Sequence, residues 1–224
     1  LDPHALEQFL ERRRASLPNF EPEMSLADNL VEVLRKANEF VPSQAGSILL
    51  DNPRLKQVDR SRNRLTFLAA FGDKAQLLVG QTLPADQGIA GHVYLSGKAY
   101  SSRDVASDRF FDASIDAETQ YRTQSLVAIP IRIGTDVCGV LELINRRGAD
   151  SYTEQERDLL EIFADYISIS IQNVLDGRLA QEAAKRDNLT GLFNDRYLHS
   201  ALEQTLVRCR TEELDLALLF LDLD

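Results

Sequence analysis

Two early segments of the chain carry apolar residues at the spacing of a helical stripe. Leu6, Phe9, Leu10 and Leu17 form the first, which Pro18 interrupts. The second spans 25–41. Leu26, Leu30, Val33, Leu34, Ala37 and Val41 share one face, Ser25 is placed to cap its start, and Pro42 lies just beyond its end. Strand patterning then takes over. Ser47-Ile48-Leu49-Leu50 runs into the turn signal Asp51-Asn52-Pro53, and Arg64 to Ala70 is closed by Phe71-Gly72-Asp73. Gly88 to Leu95 reads as a helix ended by Gly97. The stretch 99–124 is polar, acidic and irregular, which predicts a long covering loop with short helical pieces.

Ser125 to Ile133 and Val137 to Asn145 are apolar on both faces and flank Gly134-Thr135-Asp136, the pattern of a hairpin in the middle of a sheet. After Tyr152, Thr153 and Glu156 have the spacing of a capping box. The helix they announce is apolar on more than one face, through Leu159, Leu160, Ile162, Phe163, Tyr166, Ile167, Ile169, Ile171, Val174 and Leu175. One face suits the sheet. The other calls for a second helix, which predicts a homodimer through the N- and C-terminal helices. Continued through Leu179 and Ala184 toward Asp187, this helix would measure about 50 Å at about 1.5 Å per residue. A helix over 195–210 and a strand from Leu214 to Leu223 follow.

A length of 224 residues allows one ordinary domain and part of a second. Hydrophobic residues at 44% and charged residues at 27% match a globular protein with a sizeable core. The formal charge of −10, spread along the chain, excludes a nucleic-acid partner, and Arg12-Arg13-Arg14 stands alone as a solvated face. Cys138 and Cys209 belong to no CxxC pattern, so a reducing, cytoplasmic setting is expected. No apolar run reaches membrane-spanning length and no signal peptide opens the chain. The start at Leu1 and the end at Asp224 inside an apolar run lead us to expect a piece of a longer protein, whose upstream part is free to carry a membrane or sensory domain.

Three stretches carry a family resemblance over about 25–175. They are Leu83-Pro84 leading into Gly88-Ile89-Ala90-Gly91, Ser125-Leu126-Val127-Ala128-Ile129-Pro130-Ile131, and Gly139-Val140-Leu141-Glu142-Leu143-Ile144-Asn145. In order and spacing they resemble the GAF family. The resemblance implies an α+β, GAF/PAS-like fold: an antiparallel sheet of about six strands flanked by helices, with terminal helices on one face and a ligand pocket on the other. Asp187-Asn188-Leu189-Thr190-Gly191-Leu192, followed by Asn194, resembles the opening motif of GGDEF domains, although Asp195 stands where that family usually has Arg. The expected organisation is a helical linker at 1–24, a GAF sensor at 25–175, a helical signalling linker at 176–186 and the start of an incomplete α/β cyclase-type domain at 187–224.

By this second resemblance the longer protein is a diguanylate cyclase, which makes cyclic di-GMP from two GTP in sites built between two subunits. The resemblance further implies that Asp222, with the backbone carbonyl of Leu223, binds Mg²⁺ there; a strand end with solvated carboxylates is the plain alternative. The site cannot be complete within these residues, since no Gly-Gly pair occurs among them. A non-catalytic binding and dimerisation module with a degenerate GGDEF domain, or a cyclase–phosphodiesterase hybrid, are the competing readings. Within the sensor, Ser47, Asp104, Thr123 and Ser125 offer polar groups to a small-molecule effector, or merely cap and close turns. Asn145, Arg146, Tyr152 and Glu156 partly resemble a motif of cyclic-nucleotide-binding GAF domains, with Arg for Lys, Tyr for Phe and Glu for Asp. That motif is scaffolding, and an Arg146–Glu156 ion pair would tie the strand end to the last helix.

Overall fold

The computed structural model describes residues 26–219 except 54. The helix expected near Leu6, the Ser25 cap, Asp222 and Leu223 lie outside the described residues. The chain divides into two compact units, Leu1–Gln172 and Asn173–Asp224.

In the first unit, helix α1 (Leu26–Phe40) precedes strand β1 (Ser43–Asp51). A 3-10 turn (Arg60–Arg62) leads into β2 (Arg64–Phe71), then a helical turn α2 (Ala75–Leu78), β3 (Thr82–Pro84) and α3 (Gly88–Ser96). Next come β4 (Tyr100–Ser102), a 3-10 turn (Val105–Ser107), α4 (Ser114–Thr119), β5 (Leu126–Ile133), β6 (Asp136–Arg146) and α5 (Glu154–Ala184), whose residues from Asn173 on belong to the second unit. The strands form one sheet in the order β3-β2-β1-β6-β5-β4, with every neighbouring pair antiparallel. The hairpin expected from the apolar run is β5–β6, and β6 lies between β1 and β5. The short strands β3 and β4 were not foreseen. At three residues each, they are too short to show a period of two, and pairing with β2 and β5 alone makes them strands.

Side chains alternate across the sheet and separate two apolar layers. Leu49, Leu65, Phe67, Leu126, Ala128 and Val140 join α3 residues Ile89, Val93 and Tyr94 in one core. On the other face, Ile48, Ile129, Ile131, Leu141 and Leu143 are almost wholly buried, as are Leu30, Leu34 and Ala37 of α1 and Leu160, Phe163 and Ile167 of α5. α1 packs on β1 and β2. The rings of Phe40 and Phe163 lie 5.9 Å apart, and Ser168 Oγ accepts from Arg132 N at 3.2 Å, which ties α5 to α1 and to β5. The capping box closes as the sequence predicts: Glu156 N donates to Thr153 Oγ1 at 3.2 Å, and Thr153 N to Glu156 Oε2 at 2.9 Å. Gly139 is required by close approach, because a Cβ there would stand 2.2 Å from the Leu49 carbonyl oxygen.

In the second unit, a turn over 185–194 precedes α6 (Asp195–Glu212). Asp187 Oδ1 accepts from Leu189 N, Thr190 N and Thr190 Oγ1, while Asp187 N donates to the Leu192 carbonyl. Asn194 works at both ends of the turn. Its Nδ2 donates to the Ala184 carbonyl, where α5 stops, and its Oδ1 accepts from Tyr197 N to cap α6. The Asp, Thr, Gly and Asn of this motif are thus the parts of a helix-to-helix turn, with Gly191 at φ 71°. The expected strand from Leu214 is not formed over 214–219, where the backbone has no strand pairing. An apolar run becomes a strand only against a neighbour, and among the described residues none pairs with it.

Candidate ligand-binding site

The side of β1 and β6 away from α1 and α5 carries a cavity of about 110 Å³. Its floor follows from register. Glu142 of β6 stands opposite Ser47 of β1 and opposite Ala128 of β5, so the central rung holds one long side chain between two small ones. The neighbouring rung has bulkier groups, with Ile144 opposite Leu126. Space opens beside Glu142 on the β1 side, where the small Ala45 and Ser47 line the cavity and cannot fill it.

The roof is the segment 111–123 with α4, together with Leu78 and the start of α3. Its polar side chains are spent on holding it down. Gln87 Nε2 donates to Asp112 Oδ2 at 2.6 Å, and Gln81 Nε2 to Glu118 Oε1 at 3.1 Å. Thr123 donates to Asp116 through both N and Oγ1, each at 2.7 Å. Asn145 Nδ2 reaches the Arg122 carbonyl at 2.9 Å and Tyr121 Oη at 3.3 Å. The hydrogen bonds from Ser114 and Gln87 hold the Asp112 carboxyl below its ordinary range.

Glu142 is the unusual member of this wall. It is only 7% exposed, and burial pushes its carboxyl up to about 7, against the lowering effect of the hydrogen bond from Ser47 Oγ at 3.2 Å. Among the described residues, burial and the Ser47 hydrogen bond are what act on it. Sequence reasoning passed over Glu142 as one letter of an apolar strand. The available signal was a lone carboxylate between Leu141 and Leu143, at a position of opposite parity to those two leucines.

The residues singled out from sequence separate into three groups. Ser47 and Thr123 line the cavity. Asp104 and Ser125, offered as pocket groups, do not reach its wall. Asp104 caps a 3-10 turn by accepting from Ala106 N, and Ser125 Oγ accepts from Arg146 N at 3.2 Å. Their small polar groups satisfy nearby backbone first, which is the commoner use of such residues. Asn145, Arg146, Tyr152 and Glu156 form a clasp at the end of β6. Asn145, at φ 57°, accepts from Gln124 N at 2.7 Å and Ser125 N at 3.3 Å. Arg146 pairs with Glu156 at 2.6 Å and donates to the Pro42 carbonyl at 2.9 Å, while Tyr152 Oη meets Ser43 Oγ at 3.0 Å. Desolvation raises the Glu156 carboxyl, but hydrogen bonds from Arg146 and Thr153 outweigh it and hold the group below its ordinary value. Asp222 and Leu223 lie outside the described residues, so their fit to a cation rests on resemblance. Among the described residues, no group of three or more His, Cys, Asp or Glu is placed to hold a metal, and no helix is long and apolar enough to cross a membrane.

The GAF domain family profile matches residues 23–172. A probable 3′,5′-cyclic phosphodiesterase of Caenorhabditis elegans is 27% identical over 150 residues, covering 64% of this chain and 20% of that protein. The dual 3′,5′-cyclic-AMP and -GMP phosphodiesterase 11 of Drosophila melanogaster is 31% identical over 103 residues, 46% of this chain and 7% of that protein. The chain thus spans a fifth or less of these curated relatives. Among solved structures, the GAF domain of a phosphoenolpyruvate-protein phosphotransferase from Coxiella burnetii superposes with a TM-score of 0.62 at 17% identity, over 77% of this chain and 96% of that one. At that identity the likeness is one of fold.

Proposed function

We propose that this chain, which belongs to the GAF domain family, is the regulatory small-molecule-binding part of a larger signalling protein whose output is diguanylate cyclase activity. The observation that carries the regulatory half is the cavity itself. It lies on one face of a sheet whose opposite face packs on α1 and α5. A ligand that orders the roof segment presses on β1 and β6, and α5 packs against the back of the same sheet. Its effect is a change in the position or pairing of α5.

The cyclase half rests on the 187–194 turn and its resemblance to the GGDEF opening. In this reading a homodimer through the N- and C-terminal helices sets how two cyclase domains meet, each holding one GTP. Mg²⁺, held by Asp222 and the Leu223 carbonyl, would offset charge on the α-phosphate as a ribose 3′-OH attacks it. The test is an assay of the longer protein that carries this sequence. With GTP and Mg²⁺ it should yield cyclic di-GMP and pyrophosphate, whereas the 224-residue chain alone should yield neither. A second reading follows from the curated relatives, which are cyclic-nucleotide phosphodiesterases. Hydrolysis of a cyclic nucleotide by the longer protein, without cyclic di-GMP synthesis, would establish that reading in place of ours.

A further inference from the structure

The cavity also carries information about what it binds. We infer that the ligand is a compact apolar molecule bearing a cationic hydrogen-bond donor, a protonated amine or its equivalent, seated on Glu142 of β6 beside Ser47. This rests on the reading of the cavity as the regulatory site and goes further by fixing the ligand's charge.

Three observations lead there. First, Glu142 faces the cavity from its floor, more than nine-tenths buried, and among the described residues Ser47 is the hydrogen-bond partner its carboxylate is given. A buried carboxylate with one hydroxyl for company leaves acceptor capacity unused, and a donor entering the cavity would complete it. Second, the other carboxylates of the wall are already engaged. Asp112 is bound by Ser114 N and Gln87, and Asp116 by Thr123. These two carboxylates and Glu142 share the lining with a single basic residue, Lys74. The field inside is negative, so an anion such as a cyclic nucleotide's phosphate meets repulsion from the floor. The start of α3 also reaches the cavity, and the Asp112 carboxylate accepts there from the side chain of Gln87, the residue that precedes the helix. Third, the remaining lining is mostly apolar, with Phe67, Leu78, Leu83, Ile89, Leu126 and Ile144 in its walls. A volume of about 110 Å³ suits a body of five or six carbons; an apolar cavity of about 150 Å³ accommodates benzene.

The test uses three probes that share one ring: cyclopentylamine, cyclopentanol and cyclopentanecarboxylate. Each is titrated into the full chain and into Glu142→Gln at pH 8, where Glu142 is largely ionised and the amine is protonated, and amide shifts of the lining residues are followed by NMR. We expect the amine to bind the unmodified chain about tenfold more tightly than the carboxylate, as a charge-assisted contact requires. In Glu142→Gln the amine should lose about tenfold while the alcohol stays within about twofold, which separates loss of charge from damage to the cavity. If the carboxylate binds as well as the amine, or if the amine is indifferent to Glu142→Gln, the charge assignment is wrong and the regulatory pocket stands. If none of the three moves the lining amides, the pocket reading fails together with the inference built on it.

Discussion

Replacing Glu142 by Gln should make the protein more stable, and by an amount that grows with pH. The side chain is 7% exposed, and burial pushes its carboxyl from an ordinary 4.5 up to about 7. The folded protein therefore retains a proton that the unfolded chain has released between those two values. The stability tied to this proton is complete below about pH 4.5 and is lost as pH rises through about 7. At ~1.4 kcal/mol per pH unit, the gap between the two values corresponds to about 3 kcal/mol once the carboxylate is ionised. Gln keeps the shape and can still pair with Ser47, but it does not titrate. The variant should thus match the parent to within about 1 kcal/mol at pH 5 and exceed it by about 3 kcal/mol at pH 8. Urea unfolding followed by far-UV circular dichroism measures this directly, as the chain has no tryptophan to report. A gain that is the same at pH 5 and pH 8, or a loss at pH 8, would show that Glu142 is compensated in the folded state. Glu142 would then not be a carboxylate with acceptor capacity left open to the cavity.

Asn145→Ala should cost about 2–4 kcal/mol, through lost bonds to buried backbone and a residue held at positive φ. Asn145→Gly should recover only the backbone part, about 1 kcal/mol, in the same unfolding assay. Gly139→Ala forces a Cβ against the Leu49 carbonyl and must open the β1–β6 pairing. A loss of about 3 kcal/mol or an insoluble product is expected, and a thermal melt like that of the parent would contradict the register. Glu at both Leu175 and Leu179, the latter 68% exposed, should turn dimers into monomers by sedimentation without changing the circular dichroism of the sheet. A parent that sediments as a monomer at micromolar concentration removes the dimer from the proposal.

What the sequence determined by itself is the periodic part of the fold. The stripe of α1, the apolar β5–β6 hairpin, the Thr153–Glu156 capping box and the αL glycine after α3 depend on residues close together in the chain, whose physics is local. The turn at 187–194 belongs with them, since Asp187 binds Thr190 three residues on and Asn194 caps α6 through Tyr197 N. Tertiary structure decided the rest. The edge strands β3 and β4 exist through their neighbours, and the apolar 214–219 run is no strand because it has none. The site was the least legible element. Ser47 and Glu142 are 95 positions apart and meet only through the β1–β6 register. A sequence displays the carboxylate. Only the sheet shows that its neighbours are too small to cover it, and that is what makes a cavity there.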